Sequence, residues 1–167
     1  MKTRIAALLA LLVGCGPEVG QEPSREAERV PSIGSTREIA LALGDGYTFS
    51  THYIYVPSAA RLSGHWSVNG PGGFRSRDAE VILSPAQARA LEARLSSLRL
   101  EKPTHPGGCW TDVVNLSVAF VEPSGSARLY YTDPDKESCA PSHGFIKKED
   151  ALSALGACRD LLPEPSL

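Results

Sequence analysis

Tyr47-Thr48-Phe49-Ser50-Thr51-His52-Tyr53-Ile54-Tyr55-Val56 alternates along its length. Tyr47, Phe49, Tyr53 and Tyr55 fall on one side, and Thr48, Ser50, His52 and Ile54 on the other. A period of two, rich in aromatic and β-branched residues, is the pattern of a strand with one buried face. Just before it, Gly44-Asp45-Gly46 has hairpin-turn chemistry, and Glu38 to Leu43 is a short apolar run able to pair across that turn. After it, Arg61 to Val68 alternates again, with Leu62, Trp66 and Val68 on one face. Asn69-Gly70-Pro71-Gly72-Gly73 reads as a flexible loop, and Glu80 to Leu83 as a further short strand.

The next stretch changes period. Ser84 can cap a helix, Pro85 suits the first helical position and Gln87 completes a capping box. Ala88, Leu91, Leu95 and Leu98 then recur at helical spacing as one apolar stripe. Pro103 and Pro106 bar any continuation. Val113 to Val121 is the strongest strand, with Val114, Leu116, Val118 and Phe120 on one face. Pro123-Ser124-Gly125 turns the chain, and Ser126 to Thr132 returns with Leu129 and Tyr131 alternating. A last helix is expected from about Glu149 to Leu162, with Ala151, Leu155, Cys158 and Leu162 on its apolar side and Pro163 as its stop. Strands, helix, hairpin, helix is an α+β order. Its natural solution is a mostly antiparallel sheet of about five or six strands with two helices packed on one face.

The N-terminus carries an address. Lys2 and Arg4 precede an uninterrupted apolar run, Ile5 to Val13. A membrane-spanning helix needs roughly 20 such residues, and a run this short suits the apolar region of a secretory signal. Leu12-Val13-Gly14-Cys15 follows at once and resembles the lipobox of bacterial lipoproteins. The resemblance implies a diacylglyceryl group on the Cys15 sulfur and cleavage between Gly14 and Cys15. Two or more acyl chains, at about 0.8 kcal/mol per buried methylene, hold a protein stably on a bilayer. Gly16 stands where an enterobacterial inner-membrane retention signal would have Asp, which favours the outer membrane, facing the periplasm. The expected layout is a signal over 1–14, a lipidated cysteine and flexible tether over 15–36, one α+β domain over 37–163 and a tail over 164–167. The tether is rich in proline, glycine and charge; about 20 flexible residues reach roughly 25 Å.

Charge argues against one class of partner. The chain has 17 basic and 19 acidic residues, net −2, and loss of Lys2 and Arg4 with the signal would make it −4. A mildly acidic chain lacks the basic footprint that nucleic acid requires. The expected partners are a membrane, through Cys15, and a protein of the envelope.

Cys109, Cys139 and Cys158 remain after Cys15. An exported chain meets an oxidising compartment, so a disulfide is expected, with one cysteine left over. Cys109 and Cys139 flank the Ser124 turn symmetrically, so extending the ladder sets them opposite each other. Closing that loop would stabilise by roughly 3–4 kcal/mol. Cys139 with Cys158 is the competing pair; otherwise Cys158 is a buried small hydrophobe. The same hairpin allows a zinc reading, in which His105, Cys109, Cys139 and His143 supply two sulfurs and two nitrogens. Asp133, Asp135 and Glu137 alternate as oxygen ligands could for calcium, though an acidic solvated loop is the better account of them. His52 and His65 fall on polar positions of neighbouring strands and read as surface residues. Asp112 beside Trp110 is either a binding residue or a cap on the strand that follows. Glycines 70, 72 and 73 follow no phosphate-loop pattern. G-x-S-x-G and H-E-x-x-H do not occur in the sequence.

The element order is similar to two families of secreted bacterial protease inhibitors. Leu83-Ser84-Pro85 through Leu98, Asp112 to Tyr131 and Leu152 to Leu162 resemble emfourin, an inhibitor of thermolysin-type proteases. The Gly-Gly-Phe that emfourin carries near its start occurs here late, as Gly72-Gly73-Phe74. Cys109 and Cys139 enclosing a hairpin resemble the second disulfide of the Streptomyces subtilisin inhibitor, which implies a binding loop at Trp110-Thr111-Asp112. That family's first disulfide has no counterpart. The expectation is a lipid-anchored, non-enzymatic binding protein without a cofactor, with protease inhibition and zinc binding as the more specific alternatives.

Overall fold

The computed structural model describes residues 30–45, 47–101, 114–132 and 143–166. Within them the chain is α+β: two helices and one mostly antiparallel sheet of eight strands. The strands are β1 (Glu38–Gly44), β2 (Phe49–Val56), β3 (Arg61–Gly70), β4 (Gly73–Ile82), β5 (Leu100–Glu101), β6 (Asn115–Val121), β7 (Ala127–Tyr131) and β8 (Phe145–Ile146). Helix α1 is Pro85–Ser96 and α2 is Lys148–Leu161. The order across the sheet is β4-β3-β2-β1-β6-β7-β8-β5. Only the β7–β8 pair is parallel among the paired strands described.

The sheet has more strands than the expected five or six because of two very short ones. Strands β5 and β8 are two residues each, too short to show a period. Strand β4, expected only over Glu80 to Leu83, is instead much longer than read. It begins at Gly73, inside the stretch read as loop, because only Pro71 and Gly72 turn the chain. Gly73 has φ +87°, a conformation that L side chains rarely adopt. Arg75 to Asp78 is exposed throughout and polar on both sides, so no alternation betrays the strand. An edge strand guarded by charge is the usual defence against unwanted pairing.

Sequence alternation does decide which face is buried. Ile39, Leu41, Tyr53, Tyr55, Leu62, Trp66, Leu116, Val118 and Phe120 form one core with both helices. Ser84 caps α1 through the anticipated box: Gln87 N–H donates to Ser84 Oγ, and Ser84 N–H donates to the Gln87 side chain. Ala88, Leu91, Leu95 and Leu98 are buried as expected. On α2 the buried residues are Ala151, Ala154, Leu155 and Cys158. Three details differ. Tyr47 and Val114 precede their strands and are 64% and 53% exposed. On β7 it is Tyr130 that joins the main core, because the register sets it opposite Val118; Tyr131 lies opposite Ser117, on the other face. Val30 and Ile33, within the stretch read as tether, pack against the core.

Polar groups bolt the two layers together. Tyr53 and Tyr55 are fully buried, yet each hydroxyl is satisfied. Tyr55 donates to Glu92 on α1 at 2.7 Å, and Tyr53 to the Leu162 carbonyl at the end of α2 at 3.0 Å. Arg99 grips Asp150 in the first turn of α2 with two guanidinium bonds of 2.8 Å and a backbone N–H bond of 3.1 Å. That grip holds the Asp150 carboxyl below its usual range. Trp66 stacks edge-on to Tyr53, centroids 5.7 Å apart, and its ring lies over Gly64. A Cβ at position 64 would stand 2.5 Å from that indole.

Candidate functional site: a histidine pair on the open face of the sheet

Both helices join the core on one side of the sheet, so the alternate residues of β1 to β4 point away from them. The registers then fix a row of chemistry. His52 on β2 stands opposite His65 on β3, and His65 stands opposite Asp78 on β4. The imidazoles lie 6.2 Å apart, centroid to centroid, and nearly perpendicular at 83°. Asp78 Oδ1 is 2.6 Å from His65 Nδ1. An ionised carboxylate only accepts, so Nδ1 carries the proton and the neutral ring presents its lone pair at Nε2.

The surroundings set protonation and reach. Partial burial, and then the neighbouring His65, hold the His52 pKa below its ordinary 6.5. His52 therefore stays neutral at neutral pH. The His65 and Asp78 side chains are 45% and 79% exposed, so their pairing orients the ring more than it stabilises the fold. Ile54, Ser63 and Glu80 complete the hollow around the pair. Glu80 is engaged by Arg61 at 3.6 Å. The serines are engaged too: Ser63 donates to the Ile54 carbonyl at 3.4 Å, and Ser67 shares a 2.7 Å bond with Ser50. The site thus has an oriented base beside hydroxyls that are committed elsewhere, which suits holding a ligand better than activating a nucleophile.

Of the residues singled out by sequence, the structure brings His52 and His65 together. It adds Asp78, which the loop reading of 69–73 had left without a strand. One signal could have found it. A tight turn at Pro71-Gly72 mirrors positions about itself, and that mirror carries His65 onto Asp78.

His143 lies beside β7. Its backbone N–H donates to the Leu129 carbonyl at 2.7 Å, and its Nδ1 accepts the Leu129 N–H at 3.2 Å. With Nδ1 so used, the proton sits on Nε2 and the neutral ring has no lone pair left for zinc. The other three members of that tetrad, His105, Cys109 and Cys139, lie outside the described residues, as do Cys15, Trp110, Thr111, Asp112, Asp133, Asp135 and Glu137. The Cys109–Cys139 bridge therefore falls outside them too. Cys158 is a free, fully buried thiol, and its competing partner Cys139 lies outside the described residues. Burial pushes its pKa up to about 12, so it is inert as a nucleophile.

Compared with known proteins, the chain matches no family model, no curated protein and no solved structure.

Proposed function

We propose that the chain is a lipid-anchored protein of the bacterial cell envelope that acts by binding rather than by catalysis. The observation that carries the anchor is Leu12-Val13-Gly14-Cys15, set directly after the apolar run that ends at Val13. Acyl chains on Cys15 hold the protein to a membrane, the outer membrane facing the periplasm being the favoured address. The residues between Cys15 and Val30 connect the lipid to the folded domain. Binding is supported by the two-sided character of the sheet. Helices cover one face, and the other presents an oriented histidine pair and committed serines on β2 to β4. Among the described residues no helix is long and apolar enough to cross a membrane.

Metabolic labelling with an alkyne analogue of palmitate tests the anchor. In a bacterial host the full chain takes up label and sediments with membranes. Cys15→Ser loses the label and leaves the membrane-anchored pool of mature protein. Equal labelling of Cys15→Ser, or none of the unaltered chain, would overturn the proposal.

A further inference from the structure

The open-face histidine pair has a more specific use. We propose that His52 and His65 together bind one borderline divalent transition ion, Cu2+ foremost, with water completing its coordination. The inference goes beyond the anchored-binder reading, and its test does not depend on lipid at Cys15.

Three observations carry it. The register makes the histidines direct cross-strand neighbours on the same face, so both rings can converge on one point above the sheet. Two imidazoles sharing an ion at about 2.0–2.1 Å per nitrogen have centroids roughly 4.5–6.5 Å apart, depending on the angle at the ion. The observed 6.2 Å falls at the wide end of that range, so the two rings would meet the ion at a wide angle or close up on binding it. Asp78 takes the Nδ1 proton of His65, which fixes the ring and raises the basicity of the free Nε2, as carboxylates do behind metal-binding histidines.

The donor set selects the ion. Imidazole suits copper, nickel and zinc, whereas calcium and magnesium need clustered oxygens. Among the described residues no three His, Cys, Asp or Glu side chains are placed to hold a metal. The site is therefore open, and its ion exchanges readily. With geometry imposing so little, affinity follows the intrinsic order of the ions, which places Cu2+ highest. Charge favours a cation as well. Asp78 and Glu80 face the pair from β4, Arg61 offsets Glu80 from β3, and β1 contributes the uncharged Ala42 opposite His52.

The test is a Cu2+ titration of the full chain at neutral pH, with reactive thiols blocked, followed by electron paramagnetic resonance. One ion should bind per chain, with hyperfine structure from two nitrogens. His52→Ala and His65→Ala should each abolish that signature, and Asp78→Asn should weaken binding about tenfold. His105→Ala and His143→Ala should leave it intact. Far-UV circular dichroism checks each fold, and His52→Gln and His65→Gln replace any alanine variant that unfolds. A signature that survives loss of His52 or His65, that disappears with His105 or His143, or that never forms at one ion per chain would overturn the proposal.

Discussion

Strand β2 belongs to two different environments at once. Tyr53 and Tyr55 are fully buried under the helices, and each is tied to one of them by its hydroxyl. Between and beside them, His52 and Ile54 point the other way and are exposed. The same ten ångströms of backbone thus carries cohesion on one side and chemistry on the other, as the two-residue period of a strand permits (about 3.3 Å per residue). The covered face is apolar, with its two β2 tyrosine hydroxyls anchored and the Trp66 indole N–H buried without a partner. The open face near β4 mixes charged groups with the exposed Phe74 and Ile82, and its contacts orient side chains without excluding water. Substitutions one position apart should therefore have opposite consequences.

The largest break comes from the covered face. Leu155 is fully buried where α2 meets the sheet, and Leu155→Ala should cost about 2–5 kcal/mol in urea unfolding. Next is Gly64→Ala. The new methyl would meet the indole of Trp66, itself 2% exposed and held against Tyr53, so the ring has nowhere to retreat. A loss of about 1–3 kcal/mol is expected, which is large for the addition of one carbon.

Asp150→Asn tests a polar bolt, and its signature is a pH dependence. The Arg99 contacts lower the folded-state pKa of Asp150 beneath 3.8. The stabilisation is therefore complete above that ordinary value and disappears as the pH falls through the lower folded value. Thermal midpoints of the variant and the unaltered chain should differ at neutral pH and converge in acid; a gap that persists in acid would break this account of the bolt. Smallest of all is His52→Ala on the open face, expected within about 0.5 kcal/mol of the unaltered chain by the same urea measurement.

The sequence makes the covered face legible and the open face only partly so. The alternation of β2 and β3, the capping box at Ser84 and the Leu91-Leu95-Leu98 stripe were readable because burial imposes a period on apolar residues. Strand β4 was not, because an edge strand that buries little has no such constraint. Its polar run from Arg75 to Asp78 resembles loop until the turn at Pro71-Gly72 is used to set the register. That gap hid the third member of the site. His52 and His65 could be placed on neighbouring strands, but their partner Asp78 could not. Tyr130 and Tyr131 show a related limit. Two adjacent tyrosines are both buried, on opposite faces, and composition alone cannot say which one joins the main core.

The central claim is that, on β2 to β4, one face of the sheet holds the protein together while the other, among the described residues, presents a ligand site. Urea unfolding of an alanine scan along β2, position by position from His52 to Tyr55, tests it most directly. The account predicts a saw-tooth: losses of about 3–5 kcal/mol at Tyr53 and Tyr55, and little change at His52 and Ile54. A flat profile, or losses at His52 and Ile54 as large as those at the tyrosines, would show that the open face is a second packed layer and would contradict its assignment as the binding face.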